Sequence, residues 1–154
     1  MALPKSAFQK AVEGTPDVAH GYCVGLQAIE KCDKDAVVVK DSRLVDGSLN
    51  IDKMTQNAYP HDARWDYAIG YDGKACYVEV HPANTSNIPE MAKKKEWLDS
   101  WLKSKAPLLH ALPSDSPRLL WAATESGVHI SKQSSYKRKL AQLGLIPKRP
   151  VIIG

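Results

Sequence analysis

Apolar and polar residues alternate most regularly in residues 64–81, on both sides of the pair Asp72-Gly73. Alternation with a period of two predicts strands. An Asp-Gly pair between two such runs predicts a tight hairpin turn. Pro82 is expected to end the second strand, because proline has no N–H to donate to a ladder. The segment therefore predicts an antiparallel hairpin near the middle of the chain.

Helical spacing of apolar residues occurs elsewhere in the chain. It predicts a short helical turn and three longer helices, over 5–12, 16–32, 89–103 and 134–143. Thr15 is suited to cap the helix over 16–32, and Gly144 is a typical stop after the last helix. That last helix is basic, with Lys137, Arg138 and Lys139 in succession.

The remaining apolar runs are short and predict strands. They cover 36–40, 42–51, 119–124 and 151–153, and the segments 52–63 and 107–117 are expected to be loops. Asp46-Gly47 is a second hairpin signal, inside the run over 42–51. The order of elements predicts an α/β fold of the α+β type: one domain over 1–154, with a mixed sheet whose antiparallel central hairpin is flanked by helices.

Composition narrows the setting of the protein without fixing its function. The 154 residues carry a net charge of +4, which permits a nucleic-acid partner but does not require one. Three cysteines without a CxxC pair fit a reducing compartment better than a disulfide framework. The chain has no apolar run of membrane-spanning length, and residues 1–15 lack the apolar core of a signal peptide. We therefore expect a cytoplasmic protein that does not insert into a membrane.

A two-residue turn at Asp72-Gly73 would fix the pairing of the two central strands. Counting back from the turn places Asp66 opposite Glu79, with Arg64 and His81 on the same face. The other face, assigned to the core, carries Trp65, Tyr67, Ile69, Val78 and Val80. Directly opposed carboxylates repel each other, and a divalent cation between them would remove that repulsion. The alternative is a solvated face on which Arg64 is the counter-ion and His81 only ends a strand.

The spacing of Asp66 and the run Glu79-Val80-His81 resembles the motif of the PD-(D/E)XK, restriction-endonuclease-like superfamily. The resemblance covers residues 15–124 and implies an αβββαβ core, with the Asp on the second core strand and the E-x-K at the end of the third. It also implies Mg²⁺-dependent cleavage of DNA or RNA. Glu30 matches an acidic residue that many members carry on the preceding helix.

The sequence departs from this motif where His81 occupies the lysine position. Two replacements for the lysine are conceivable on chemical grounds. Histidine can act as a general base near neutral pH. Alternatively, Lys94 or Lys95 reaches the acids from the following helix, where the apolar stripe faces the sheet.

The leading hypothesis is a metal-dependent phosphodiester hydrolase that acts on nucleic acid, DNA or RNA. Asp66, Glu79 and Glu30 would bind Mg²⁺ or Mn²⁺, and His81, Lys94 or Lys95 would assist catalysis. Lys137, Arg138 and Lys139 would contact the nucleic-acid backbone. The alternative is a catalytically inactive module of the same fold that binds nucleic acid or a protein partner. A third hypothesis is an interaction subunit, in a homodimer or a larger assembly.

Overall fold

The computed structural model describes residues 4–154 and contains both helices and strands along this length. The helices are α1 (Ala7–Glu13), α2 (Ile51–Thr55), α3 (Ile88–Ser104), α4 (Pro107–His110) and α5 (Ser134–Leu143). The strands are β1 (Val37–Val39), β2 (Val45–Asn50), β3 (Tyr67–Tyr71), β4 (Lys74–Asn84), β5 (Leu119–His129) and β6 (Val151–Ile153). Residues 1–3 lie outside the described part. They belong to the domain predicted over 1–154 and to the N-terminal segment that lacks a signal-peptide pattern.

The main sheet has four strands in the order β2-β3-β4-β5. β2, β3 and β4 are antiparallel neighbours, and β5 lies parallel to β4. β1 and β6 form a separate parallel pair. The predicted fold class is confirmed, since a mixed sheet with an antiparallel central hairpin is flanked by helices. Among residues 4–154, none of the helices combines the length and the apolar character needed to cross a bilayer.

Both faces of the sheet are buried. On one face, residues of α1 and α3 such as Phe8 and Leu98 pack on Tyr77 of β4. On the other face, the pair β1–β6 covers Tyr67, Ile69, Val78 and Val80. These four residues share a face as predicted, but Trp65 belongs to the first cluster. The alternation stops at Trp65 because β3 begins only at Tyr67.

The central hairpin has the predicted register, with Tyr71 opposite Lys74 and Ala68 opposite Tyr77. Asp72 and Gly73 both have positive φ, 49° and 77°, as a type I′ turn requires. The prediction that Pro82 ends the second strand is wrong, since β4 continues to Asn84. Pro82 falls at a register shift between His81 and Ala83, where a missing N–H does not interrupt the ladder.

The predicted helix over 16–32 is wrong. Two short 3₁₀ segments form at its two ends instead, at Pro16–Val18 and Lys31–Ala36. Gly25 has φ of 56°, a left-handed conformation that interrupts a right-handed helix. The segment is instead held to β2, where Cys23 forms an isolated bridge with Ser48. Its apolar stripe therefore reflects burial by other elements and not helical packing.

The hairpin predicted at Asp46-Gly47 is also wrong, because both residues lie within β2. The strand is irregular between Val45 and Gly47 where it pairs with β3. A side chain at Gly47 would overlap the ring of Tyr22, whose hydroxyl donates to the Asp46 carbonyl at 2.7 Å. The glycine thus serves the close approach of an aromatic ring, and its φ of 145° excludes most other residues.

Three of the predicted helices agree with the structure. α3 and α5 match the helices predicted over 89–103 and 134–143, and Gly144 follows α5. α1 corresponds to the turn predicted over 5–12. The prediction of loops over 52–63 and 107–117 is only partly right, because α2 overlaps the first region and α4 lies in the second.

Candidate functional site

Asp66 and Glu79 meet at the point where the β3–β4 ladder ends. The last paired residues are Tyr67 and Val78. Beyond them, the Asp66 N–H donates to Oε1 of Glu79 at 2.9 Å. The N–H of Val80 donates to Oδ2 of Asp66 at 3.0 Å. The two carboxylates thus continue the hairpin through side-chain hydrogen bonds, and each accepts from a backbone N–H of the opposite strand segment.

Lys94 brings a positive charge to this pair from α3. Its Nζ lies 3.1 Å from Oε2 of Glu79 and donates to the carbonyl of Arg64 at 3.0 Å. The Glu79 side chain is 1% exposed and that of Lys94 is 15% exposed. α3 can place a lysine here because Met91 and Leu98, on the same face, are buried against the sheet. The ion pair is consequently largely shielded from water.

His81 lies between two acids at the rim of the site. Its Nε2 is 3.0 Å from Oε2 of Glu90, and its Nδ1 is 3.7 Å from Oε2 of Glu79. Glu90 is half-exposed on the first turn of α3, whereas the His81 side chain is 14% exposed. The imidazole therefore connects the buried carboxylate with one at the surface.

Burial raises the pKa of both central acids. The pKa of Asp66 rises to about 6, chiefly through burial, although the Val80 N–H and Lys94 oppose the shift. The pKa of Glu79 rises well above its ordinary value, first through burial and then through the charge of Asp66. Lys94 supplies one positive charge for two carboxylates. The site consequently retains an excess of negative charge when both acids are ionised.

Two further aspartates lie close enough to affect the pair electrostatically, and no sequence pattern indicated either of them. The charges of Asp33 and Asp52 both raise the pKa of Asp66. Oδ2 of Asp33 accepts a hydrogen bond from the Tyr67 hydroxyl at 2.6 Å. Asp52 pairs with Nε of Arg64 at 2.8 Å. Arg64, the counter-ion of the paired acids in the alternative interpretation of a solvated strand face, pairs with Asp52 instead.

The structure separates the remaining predicted residues. Nζ of Lys95 donates to the Leu143 carbonyl at 2.8 Å, so this lysine joins α3 to α5 and not to the carboxylates. Glu30 is exposed and precedes a 3₁₀ segment, which corrects its predicted place on a helix. The backbone N–H of Glu30 donates to the Tyr67 hydroxyl at 3.2 Å, and this is its link to the residues around Asp66. The basic residues predicted to contact nucleic acid, Lys137, Arg138 and Lys139, are exposed on α5.

Comparisons with models of protein families, with curated proteins and with solved structures gave no match.

Proposed function

We propose that this protein is a metal-dependent phosphodiester hydrolase that acts on nucleic acid, with Asp66, Glu79 and Lys94 at its centre. The observation that carries the proposal is the meeting of a buried carboxylate, Glu79, and a partly buried one, Asp66, with one lysine ammonium, 3.1 Å from Glu79. Phosphoryl transfer requires positive charge near the reacting phosphate and a means of activating water. Lys94 would supply the first, and His81 would accept the proton of the attacking water.

The order of the elements supports the relationship to the PD-(D/E)XK superfamily that the motif suggested. With β1 and the short helices α2 and α4 left aside, α1, the antiparallel strands β2, β3 and β4, then α3 and β5 have the order αβββαβ around one sheet. Asp66 directly precedes the second of these strands, and Glu79 lies in the third. Lys94 provides the ammonium group that the motif lacks at His81. We therefore propose Lys94 as the functional replacement for the motif lysine.

The residues of the site fit a hydrated Mg²⁺ or Mn²⁺ ion. Mg²⁺ binds through one or two carboxylates and keeps several waters, and the excess negative charge that the pair has when both acids are ionised favours a cation. Within residues 4–154, no group of three or more His, Cys, Asp and Glu side chains is placed to hold a metal. A metal would therefore be held by Asp66 and Glu79 alone, and it would supply an activated water and neutralise phosphate charge.

Cleavage of nucleic acid by matched variants tests this proposal. Supercoiled DNA, linear single-stranded DNA and RNA would be incubated with Mg²⁺, Mn²⁺ or EDTA. We expect metal-dependent cutting that falls about 100-fold or more in Asp66→Asn, Glu79→Gln and Lys94→Met, the loss typical of one electrostatic group. Lys95→Met is the matched control, since Lys95 contacts the Leu143 carbonyl instead. Cutting that persists in EDTA, or that survives both acid substitutions, would contradict the proposal.

One observation favours the alternative of an inactive binding module. Three of the four carboxylate oxygens already have partners: Oε1 of Glu79 accepts from the Asp66 N–H, Oδ2 of Asp66 from the Val80 N–H, and Oε2 of Glu79 lies against Lys94. A satisfied network of this kind can exist for structural reasons alone. The alternative predicts binding that weakens steeply with salt and no cutting with either metal.

A further inference from the structure

A groove of about 850 Å³ lies between the beginning of α3 and the length of α5. One side is formed by apolar residues of α3, among them Pro89 and Ala92. The facing side carries Tyr136 and Lys139 of α5. Thr85 and Ser86, of the 3₁₀ segment at Thr85–Asn87, also line it. The groove thus combines an aromatic ring, a positive charge and hydroxyl groups on an apolar floor.

Tyr136 and Lys139 together suit an unpaired base and its phosphate. Tyr136 is half-buried and lines the groove, and a stacking base would take the place of the Lys139 ammonium on its ring. Nζ of Lys139 lies 5.3 Å from the centre of that ring. Lys139 is exposed, and its flexible stem allows the ammonium to reach a phosphate next to a stacked base. Proteins that hold single strands use this pairing of aromatic platforms with basic residues.

α3 connects the groove to the paired acids. Glu90 and Lys94 are four residues apart and lie on the side of α3 that faces His81 and Glu79. Pro89 and Ala92 are on the side that lines the groove. A helix with its side chains is about 10–12 Å across. A strand with its phosphate at the acids would therefore place a flanking nucleotide, and not the cleaved one, in the groove.

We propose that the groove binds an unpaired base next to the cleaved bond, so that the preferred substrate is single-stranded nucleic acid. This inference rests on the proposed function for the position of the cleaved bond. A base within a duplex reaches such a groove only by being flipped out of its stack. Exposed basic residues on the same helix, Lys137 and Arg138, provide charge complementarity to the backbone of the strand.

The test measures binding of a labelled ten-nucleotide DNA strand, the same sequence as RNA, and the corresponding DNA duplex, in EDTA so that no cleavage occurs. We expect wild type to bind a single strand at least tenfold more tightly than the duplex. Tyr136→Leu should weaken single-strand binding about tenfold, the loss of one stacked base, and leave duplex binding within twofold. Lys139→Gln should weaken single-strand binding, whereas Lys103→Gln, its matched control at an exposed residue of α3 outside the groove, should not.

A second variant keeps the test independent of folding. Gln142→Glu adds a negative charge at an exposed residue that lines the groove, and it should weaken single-strand binding at least threefold. Equal affinity for strand and duplex, or equal losses for both in Tyr136→Leu and Gln142→Glu, would overturn the inference. If cutting depends on Asp66 without a preference for single strands, the groove assignment fails while the proposed function stands. If single strands bind as expected but are never cut, the groove assignment stands and the hydrolase proposal fails.

Discussion

Replacing Asp66 by Asn should make the protein more stable at neutral pH. The Asp66 pKa of about 6 lies about two units above its ordinary value of 3.8. Each unit corresponds to about 1.4 kcal/mol, so ionised Asp66 costs the folded state about 3 kcal/mol at pH 7.5. Asparagine keeps an oxygen to accept the Val80 N–H and carries no charge to bury. Its substitution also leaves Lys94 to balance Glu79 alone.

The sign of the pH dependence follows from the raised pKa. Between the unfolded and the folded pKa the native state binds more protons, so the wild-type stability contributed by Asp66 decreases as pH rises through that range. The advantage of Asp66→Asn should therefore be about 3 kcal/mol at pH 7.5 and less than about 1 kcal/mol at pH 4. Urea unfolding of both proteins across this range, without metal, measures the difference.

Asp35→Asn is the matched control for the loss of one carboxylate, because Asp35 is exposed in the 3₁₀ segment before β1. It should change the free energy of unfolding by less than about 0.5 kcal/mol at either pH. The reasoning is refuted if Asp66→Asn is no more stable than wild type at pH 7.5. It is equally refuted if the gain stays constant on acidification, since a constant gain would come from packing and not from ionisation.

Two further predictions concern the metal and the residues around the site. Mg²⁺ at ten times its dissociation constant should stabilise wild type by about 1.4 kcal/mol. The effect of a fixed Mg²⁺ concentration should be larger at pH 7.5 than at pH 5.5, because the carboxylate ligands must be deprotonated. Thermal unfolding should show no Mg²⁺-dependent shift for Asp66→Asn. Tyr67→Phe should cost about 1–3 kcal/mol in urea unfolding, because it leaves Asp33 and the Glu30 N–H without their buried partner. Tyr71→Phe, which loses only the bond from the Asp41 N–H, should cost less; equal losses would contradict the role assigned to Tyr67.

The central hairpin could be predicted because its information is local. Asp72-Gly73 fixes the turn, and the turn fixes the register that brings Asp66 beside Glu79. α3 could also be predicted from the sequence, because its apolar residues recur at helical spacing along a helix of 17 residues. The segment 16–32 was misjudged because its apolar residues are buried by distant elements such as β2. Periodicity cannot separate these two origins of burial when two glycines interrupt the pattern.

The sequence narrowed the lysine near the paired acids to two adjacent residues but could not decide between them. Lys94 and Lys95 differ by about 100° around α3, and this rotation decides between Glu79 and the Leu143 carbonyl. The ion-pair partner of Arg64 could not be predicted from the sequence for a different reason. Asp52 lies on α2, a helix of five residues that the sequence did not indicate. Contacts between short, irregular segments depend on tertiary packing that a single sequence does not reveal.

The reciprocal bonds at the end of the hairpin make two backbone amides into reporters of the site. The N–H groups of Asp66 and Val80 donate to the very carboxylates whose ionisation is in question. Their proton chemical shifts and exchange rates with solvent should follow the protonation of Glu79 and Asp66 respectively. A titration by NMR could thus observe the charge state of the pair, and the arrival of a cation or a phosphate, without any turnover of substrate.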